Sequence, residues 1–357
     1  MTQQELTERN LGQSLDDLSN LDPRGYGVCK ILYEASRAKT GEPLTMHAAK
    51  QLVRVVKRDD IVFILVGFVL LPFKKAEMDG VVSAVLLARS LVKSFGAKPV
   101  LVCPQDNVEA IRALSACVGL HCYDSIEDVK QMPIALAVLP FTKERDEAAA
   151  QADLLIAQGD PSAVISIEAP GANHAGVYHN ATGLNVTELE AKMDILFTKL
   201  QDKGVLNIAI GDLGNEIGMG AIAEQLYKYI PYAGEGACRC DCKGGIAVAT
   251  AADHIITATV SDWGCYGMIA ALAFLLEDID IMHDARMQEE AMITASRAGM
   301  IDMYGWLVPA IDGFGLPINT SIVTLMRECV QSALHLRETC ATWFEKVIEK
   351  GFFRASR

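Results

Sequence analysis

The sequence has no run of lysine and arginine, no apolar stretch of membrane length and no paired C-x2-C motif. Each absence removes a class of function. Net charge is −13 over 357 residues. A nucleic-acid surface needs clustered Lys and Arg to displace counterions from phosphates, so no nucleic-acid partner is expected. Surplus acid keeps a chain in solution and leaves carboxylates available for metal cations. The longest apolar run, "IVFILVGFVLLPF" at 61–73, has 13 residues, short of the ~20 that a spanning helix needs, so no membrane partner is expected either. The opening "MTQQELTERNLGQSLDDLSN" is polar and acidic, unlike a signal or Arg-rich transit peptide. Together these features predict a soluble, cytoplasmic protein.

Catalytic signatures are missing too. No Walker loop, G-x-G-x-x-G, G-x-S-x-G elbow or HExxH is present, which removes support for a nucleotide-phosphate site, a serine hydrolase elbow or a zincin. No internal repeat, low-complexity segment or clean linker divides the chain. Of ten cysteines, most lie singly in apolar segments, for example Cys103, Cys117 and Cys329; these read as small buried thiols in a reducing compartment. "CRCDC" differs, placing Cys238, Cys240 and Cys242 within five residues. Three thiolates could bind a soft metal, but structural zinc sites ordinarily use C-x2-C pairs plus a further ligand. The spacing therefore favours an exposed loop.

What is present is enough for a core, with 51% hydrophobic and 22% charged residues, a globular balance. Residues 1–58 predict a helical N-terminal cap, and "MHAAKQLVRVVKR" at 46–58 has an amphipathic period. From 59 to 357 a single composite domain is expected. Candidate strands lie at 60–70, 98–103, 134–139, 163–168, 206–211 and 253–260. Candidate helices lie at 80–95, 107–117, 143–158, 187–203, 215–229 and 264–277. The segment from about 284 is largely helical, with a break at 308–319. Apolar strands alternating with helices predict an α/β fold, a mostly parallel sheet sandwiched by helices in three layers.

Ligands bind outside the carboxyl ends of the strands in such a sheet. The residues following four candidate strands each supply acid near glycine: Glu77, Asp79 and Gly80; Glu168 with Asn173 and His174; "DLGNEIGMG" with Asp212, Asn215 and Glu216; and "SDWG" with Asp262. Carboxylates gathered on one edge repel unless protonated or bridged by a cation. Oxygen donors of this kind favour Mg²⁺ or Mn²⁺. Each residue also has an ordinary structural explanation. Asp79 and Asn215 could be helix N-caps, Glu216 could complement a helix dipole, and His254 could simply be packed. His174 and His179 flank a glycine-rich loop and could carry protons. Gly218 and Gly220 fall inside the expected helix at a cost of ~1 kcal/mol each relative to Ala, which suggests close approach by another backbone or a ligand.

"IGDLGNEIGMG" closely resembles IGDGGNEIGMG, a signature of the D-glutamate cyclase C-terminal family. "LVGFVL…AEMDG" resembles its TGF…ETDG block, "IEAPG…GVYHNATG" its IERPG…G.Y.N..G block, and "ADHIITATVSDWG" its ADH…SNWG block, in the same order. The resemblance runs from about residue 60 to residue 313. Leu213 replaces a Gly, Asp262 an Asn, and Ala169 an Arg that would offer a fork to a substrate carboxylate. The resemblance implies a hydro-lyase that converts D-glutamate to 5-oxo-D-proline and water; other members are metal-binding proteins with a phosphatase-like reading. Transferred to this chain, a divalent ion held by Glu77, Asp79, Asp212 or Glu216 would polarise the γ-carboxylate. Glu168 or His174 would move protons. Asn173, Tyr178, Asn180, Asn215 and Asp262 would orient an acidic amino-acid substrate. Two other readings stay open: an Mg²⁺- or Mn²⁺-dependent phosphoester hydrolase, and a non-catalytic regulator that binds metal or amino acid. A second copy of the chain is left open as a partner.

Overall fold

The computed structural model describes residues 3–339. The chain opens with α1 (Gln3–Ser19), α2 (Val28–Thr40) and α3 (Leu44–Val55). It continues through β1 (Ile61–Val66), a short hairpin of β2 (Val69–Leu70) and β3 (Lys75–Ala76), α4 (Val81–Phe95), β4 (Lys98–Cys103), α5 (Val108–Cys117), β5 (His121–Tyr123), α6 (Ile126–Gln131) and β6 (Ala135–Pro140). Next come α7 (Arg145–Gly159), β7 (Ala163–Ile167), α8 (Met193–Asp202), β8 (Leu206–Gly211), α9 (Ala223–Tyr229), β9 (His254–Thr257) and α10 (Ser261–Leu275). The described chain closes with α11 (Ala285–Arg297), the hairpin β10 (Ala310–Ile311) and β11 (Phe314–Gly315), and α12 (Leu316–Thr339). The expectation of further helix beyond Thr339 lies outside the described residues.

Seven strands form one parallel sheet in the order β5-β6-β4-β1-β7-β8-β9. Helices cover both faces, giving the expected three-layer α/β fold. Side chains alternate along each strand, and both sets are apolar. From β1, Val62, Ile64 and Val66 join α1, α3, α4, α5, α10, α11 and α12 in one core. Ile61, Phe63 and Leu65 join α2, α6, α7, α8 and α9 in the other. The N-terminal helices therefore share their apolar faces with the rest of the domain. The chain lays β4 beside β1, places β5 at the edge and fills the gap with β6, then crosses to lay β7, β8 and β9 on the other side of β1. The order reverses between β1 and β7, and a crevice opens at the carboxyl ends of the strands at such a point.

Several expected boundaries shift, each for a local reason. The strand expected over 60–70 ends at Val66, because Gly67 has φ of 115° and a Cβ there would meet Asn107 and Pro104 at 2.9 Å. The rest of that segment turns back as the β2–β3 hairpin. The helix expected over 215–229 starts only at a 3-10 turn, Gly220–Ile222. Before it, Gly214 and Gly218 take φ of 97° and 93°, so neither Gly218 nor Asn215 is helical. Close approach does account for both glycines: a Cβ on Gly218 would sit 2.3 Å from that of Ala209, and one on Gly220 would sit 2.6 Å from the Thr250 carbonyl oxygen. β5, short and partly exposed, has too little apolar pattern to be seen in the sequence.

Candidate metal and catalytic site

The turns after β1, β7, β8 and β9 meet above the reversal point. The first three line a cavity of about 240 Å³ whose wall includes Glu77, Asp79, Glu168, Asp212, Asn180 and Asn215; the turn after β9 stands behind it, with Ser261 bonded to Glu168. That volume is below the ~300–1,000 Å³ typical of drug-sized ligands and suits a small metabolite. Asp312, a residue not singled out in the sequence, joins them from the β10–β11 turn. Its signal was the Asp-Gly pair in "AIDGFG": Asp312 and Gly313 take φ of 53° and 81°, the left-handed pair that a tight hairpin demands. The break at 308–319 is this hairpin.

Carboxylate oxygens fall into two overlapping groups, each within 4.8 Å: Asp79, Asp212 and Asp312, and Glu168, Asp212 and Glu216. Asp212 belongs to both. All are buried, and their backbones differ in how each is held. Glu168 follows β7 at φ of 44° and accepts a hydrogen bond from Ser261 Oγ at 2.6 Å. Glu216 folds back on its own loop, accepting from the backbone N–H of Leu213 at 3.0 Å and of Gly214 at 2.7 Å. It therefore shapes the turn that aims Asp212, and it is not in a first helical turn.

Asp79 and Asp262 exchange caps between α4 and α10. Asp79 Oδ1 accepts from Asp262 N–H at 3.0 Å, and Asp262 Oδ1 accepts from Gly80 N–H at 3.0 Å and Ser83 N–H at 3.1 Å. Asp79 thus caps the facing helix, while its Oδ1 also accepts from Gly80 N–H at 2.9 Å at the start of its own. Asp262 Oδ2 accepts from Tyr266 Oη at 3.1 Å, so both its oxygens are engaged in holding helices together.

Burial dominates the electrostatics. It raises Glu77 to about 8, with Asp312 and Asp302 adding repulsion, and raises Asp262 to about 6. It also holds Asp79, Glu168 and Asp212 well above the usual carboxylate range, and the neighbouring carboxylates push the same way. Asp312 is raised by burial as well, against the pull of Arg24. Arg24, from the turn before α2, reaches Asp312 Oδ2 at 2.6 Å and the Thr259 carbonyl at 2.7 Å. This cation beside the cleft was not identified in the sequence.

Other expected site residues lie elsewhere. His174 is exposed and borders a separate pocket with Tyr227 and Lys243, away from the carboxylates. Tyr178 donates to Asp194 Oδ1 in a buried pair. Asn173 accepts from Ala175 and Val177 N–H and donates to the Gly245 carbonyl at 2.7 Å. Asn180 accepts three local hydrogen bonds at the cavity wall. Asn215 donates to the His179 carbonyl at 3.1 Å, leaving its buried Oδ1 without a partner.

The donor set fits a divalent cation. Oxygen-only ligands, several of them carboxylates raised by burial and then by one another, are what a hard ion relieves. Asp212 with Asp79 and Asp312, or with Glu168 and Glu216, would hold it. Glu77 lies on the cavity wall but in neither group.

A family model described as D-glutamate cyclase-like, C-terminal, matches residues 15–327. The chain is also 29% identical over 157 residues to the human protein named D-glutamate cyclase, mitochondrial, a stretch covering 42% of this chain and 24% of that protein. It thus spans about a quarter of that relative. Among the described residues no helix is long and apolar enough to cross a membrane. Because the family match runs unbroken from before Arg24 to beyond Asp312, taking in every turn that builds the cleft, the chain belongs to the D-glutamate cyclase-like C-terminal family.

Proposed function

We propose that the cleft closes D-glutamate to 5-oxo-D-proline with loss of water, acting as a hydro-lyase with Mn²⁺ or Mg²⁺ held among the carboxylates. The observation that supports this most is the gathering of Glu77, Asp79, Glu168, Asp212 and Asp312 around one small cavity in a chain of this family. The bound ion would neutralise the γ-carboxylate as a Lewis acid.

The chain's own groups handle the protons. Closure forms a C–N bond and breaks a C–O bond. Two protons leave the substrate nitrogen, and two reach the departing oxygen as water forms. Glu168, its Oε2 already accepting from Ser261, can take a proton from the ammonium and return it. Glu77, poised near neutrality at about 8, serves as the second carrier. Asn215 Oδ1, buried and unpartnered, is free to accept from the substrate ammonium. The narrow cavity holds the substrate folded so that nitrogen and carboxyl carbon meet. A reducing compartment such as the cytoplasm agrees with the unpaired cysteines of the described residues.

One observation favours a second reading. Two carboxylate groups sharing Asp212 could serve a phosphoester hydrolase that uses two ions. The test is to incubate metal-loaded protein with D-glutamate, L-glutamate and a simple phosphomonoester, following lactam and phosphate. Lactam from the D-isomer alone supports the cyclase; phosphate release supports the hydrolase. Tight metal binding with neither product would leave a regulator and overturn both.

A further inference from the structure

His179 Nε2 lies 3.2 Å from Cys240 Sγ and 3.5 Å from Cys242 Sγ. Cys242 Sγ lies 3.6 Å from that of Cys238 and 3.3 Å from that of Cys240, and the Cys238–Cys240 separation is 3.8 Å. All four donor atoms fall within 4.8 Å of one another. A tetrahedral zinc with bonds of ~2.3 Å to sulfur and ~2.0 Å to nitrogen has S···S edges of about 3.8 Å and N···S edges of about 3.5 Å. The spacing rule applied to "CRCDC" found three ligands and no fourth. The fold supplies the fourth from the turn after β7, and that residue is buried while the thiols are half-buried.

No disulfide joins these sulfurs among the described residues. A disulfide needs sulfurs at ~2.05 Å and would leave one thiol and the imidazole over. Backbone bonds such as Gly236 N–H to the Lys243 carbonyl at 2.6 Å and Arg239 N–H to the Gly183 carbonyl at 2.8 Å fix the loop's path, but thiols are weak hydrogen-bond partners and do not by themselves account for four donor atoms converging. That segment, 230–253, contains no helix or strand, and irregular stretches longer than ~12–15 residues are uncommon inside a compact domain. Two N–H donors also face the cluster: Gly244 N–H at 3.4 Å and Asn173 Nδ2 at 3.6 Å from Cys242 Sγ. Such donors stabilise a metal-bound thiolate.

We infer that His179, Cys238, Cys240 and Cys242 bind a structural zinc ion, separate from the carboxylate cleft, that staples the 230–253 segment to the turn after β7. Four protein ligands close the coordination shell, so the site is structural. Its influence on the cleft is by position: the next residue, Asn180, lines the cavity, and the His179 carbonyl anchors Asn215.

The full chain, purified without added metal and dialysed against EDTA, should retain about one zinc per chain by elemental mass spectrometry and release it to a thiol-blocking mercurial. Protein loaded with Co²⁺ in place of zinc should show thiolate-to-cobalt charge-transfer absorption and tetrahedral d–d bands. The Cys240→Ser, Cys242→Ser double variant should lose both, whereas Asp212→Asn should keep both. Absence of retained zinc together with absence of thiolate bands in the wild-type chain would overturn the assignment. So would full zinc content in the double variant. If that variant does not fold, the wild-type cobalt spectrum decides alone.

Discussion

Asp212 is the one carboxylate common to both oxygen clusters, so its removal separates function from folding. Asp212→Asn is expected to reduce lactam formation at least about a hundredfold, the scale lost when a group that stabilises developing charge is deleted. Its metal-free melting temperature should hold or rise, since a buried acid among other acids has gone. A fall in melting temperature with activity intact would refute the role. Arg24 behaves in the opposite way. Arg24→Ala strips the partner from a buried Asp312 and should cost about 3 kcal/mol in urea unfolding; a cost below about 1 kcal/mol would show the pair to be solvated. The acids on the strand-following turns were legible because acid beside glycine after an apolar run is a local pattern. Arg24 and Asp312 were not, because their meaning comes from each other across the whole sequence. His174, close to Glu168 in sequence, borders a separate pocket.

At the scale of elements, sequence periodicity located nearly every strand and helix of the sheet, since strands apolar on both faces leave a continuous signal. It failed where a side chain or a glycine overrode propensity. Glu216 looked like a helix start and instead binds the backbone that precedes it. The exchange of caps between α4 and α10 was likewise hidden, because each acid serves the helix that is not its own. This predicts an asymmetry. Asp262→Ala leaves Ser83 N–H without its acceptor and Gly80 N–H with Asp79 alone, and should cost about 1–2 kcal/mol. Asp262→Asn keeps an oxygen in place and should cost less, measured by the same unfolding curves. Equal losses in the two variants would mean that charge, not acceptance of hydrogen bonds, holds the helices. Gly218→Ala, where a Cβ would press on Ala209, should displace the Asp212 turn and lower metal affinity with little change in helix content by circular dichroism.

For the whole molecule, the buried acids set a pH dependence of definite sign. Glu77 has a folded-state value of about 8 against an ordinary 4.5. Between those values the folded, metal-free protein holds a proton that the unfolded chain has released. Stability from this group is therefore complete below about 4.5 and is lost as pH climbs through about 8. Asp262 acts similarly between 3.8 and about 6. Urea midpoints of EDTA-treated protein should fall from pH 6 to pH 8, Glu77→Gln should flatten the fall, and Mn²⁺ should restore more stability at pH 8 than at pH 6. A metal-free midpoint that climbs over that interval would contradict the cluster's electrostatics.

Glu168 combines two unfavourable circumstances in one residue: a left-handed backbone at φ of 44° and an acid sealed away from water. Glycine is at ease in that conformation and carries no charge. A laboratory selection that rewards heat tolerance alone should therefore drift to glycine at this position, yielding a hardier molecule with an empty-handed cleft. A residue that burdens the fold in this way is kept only where turnover is also under selection.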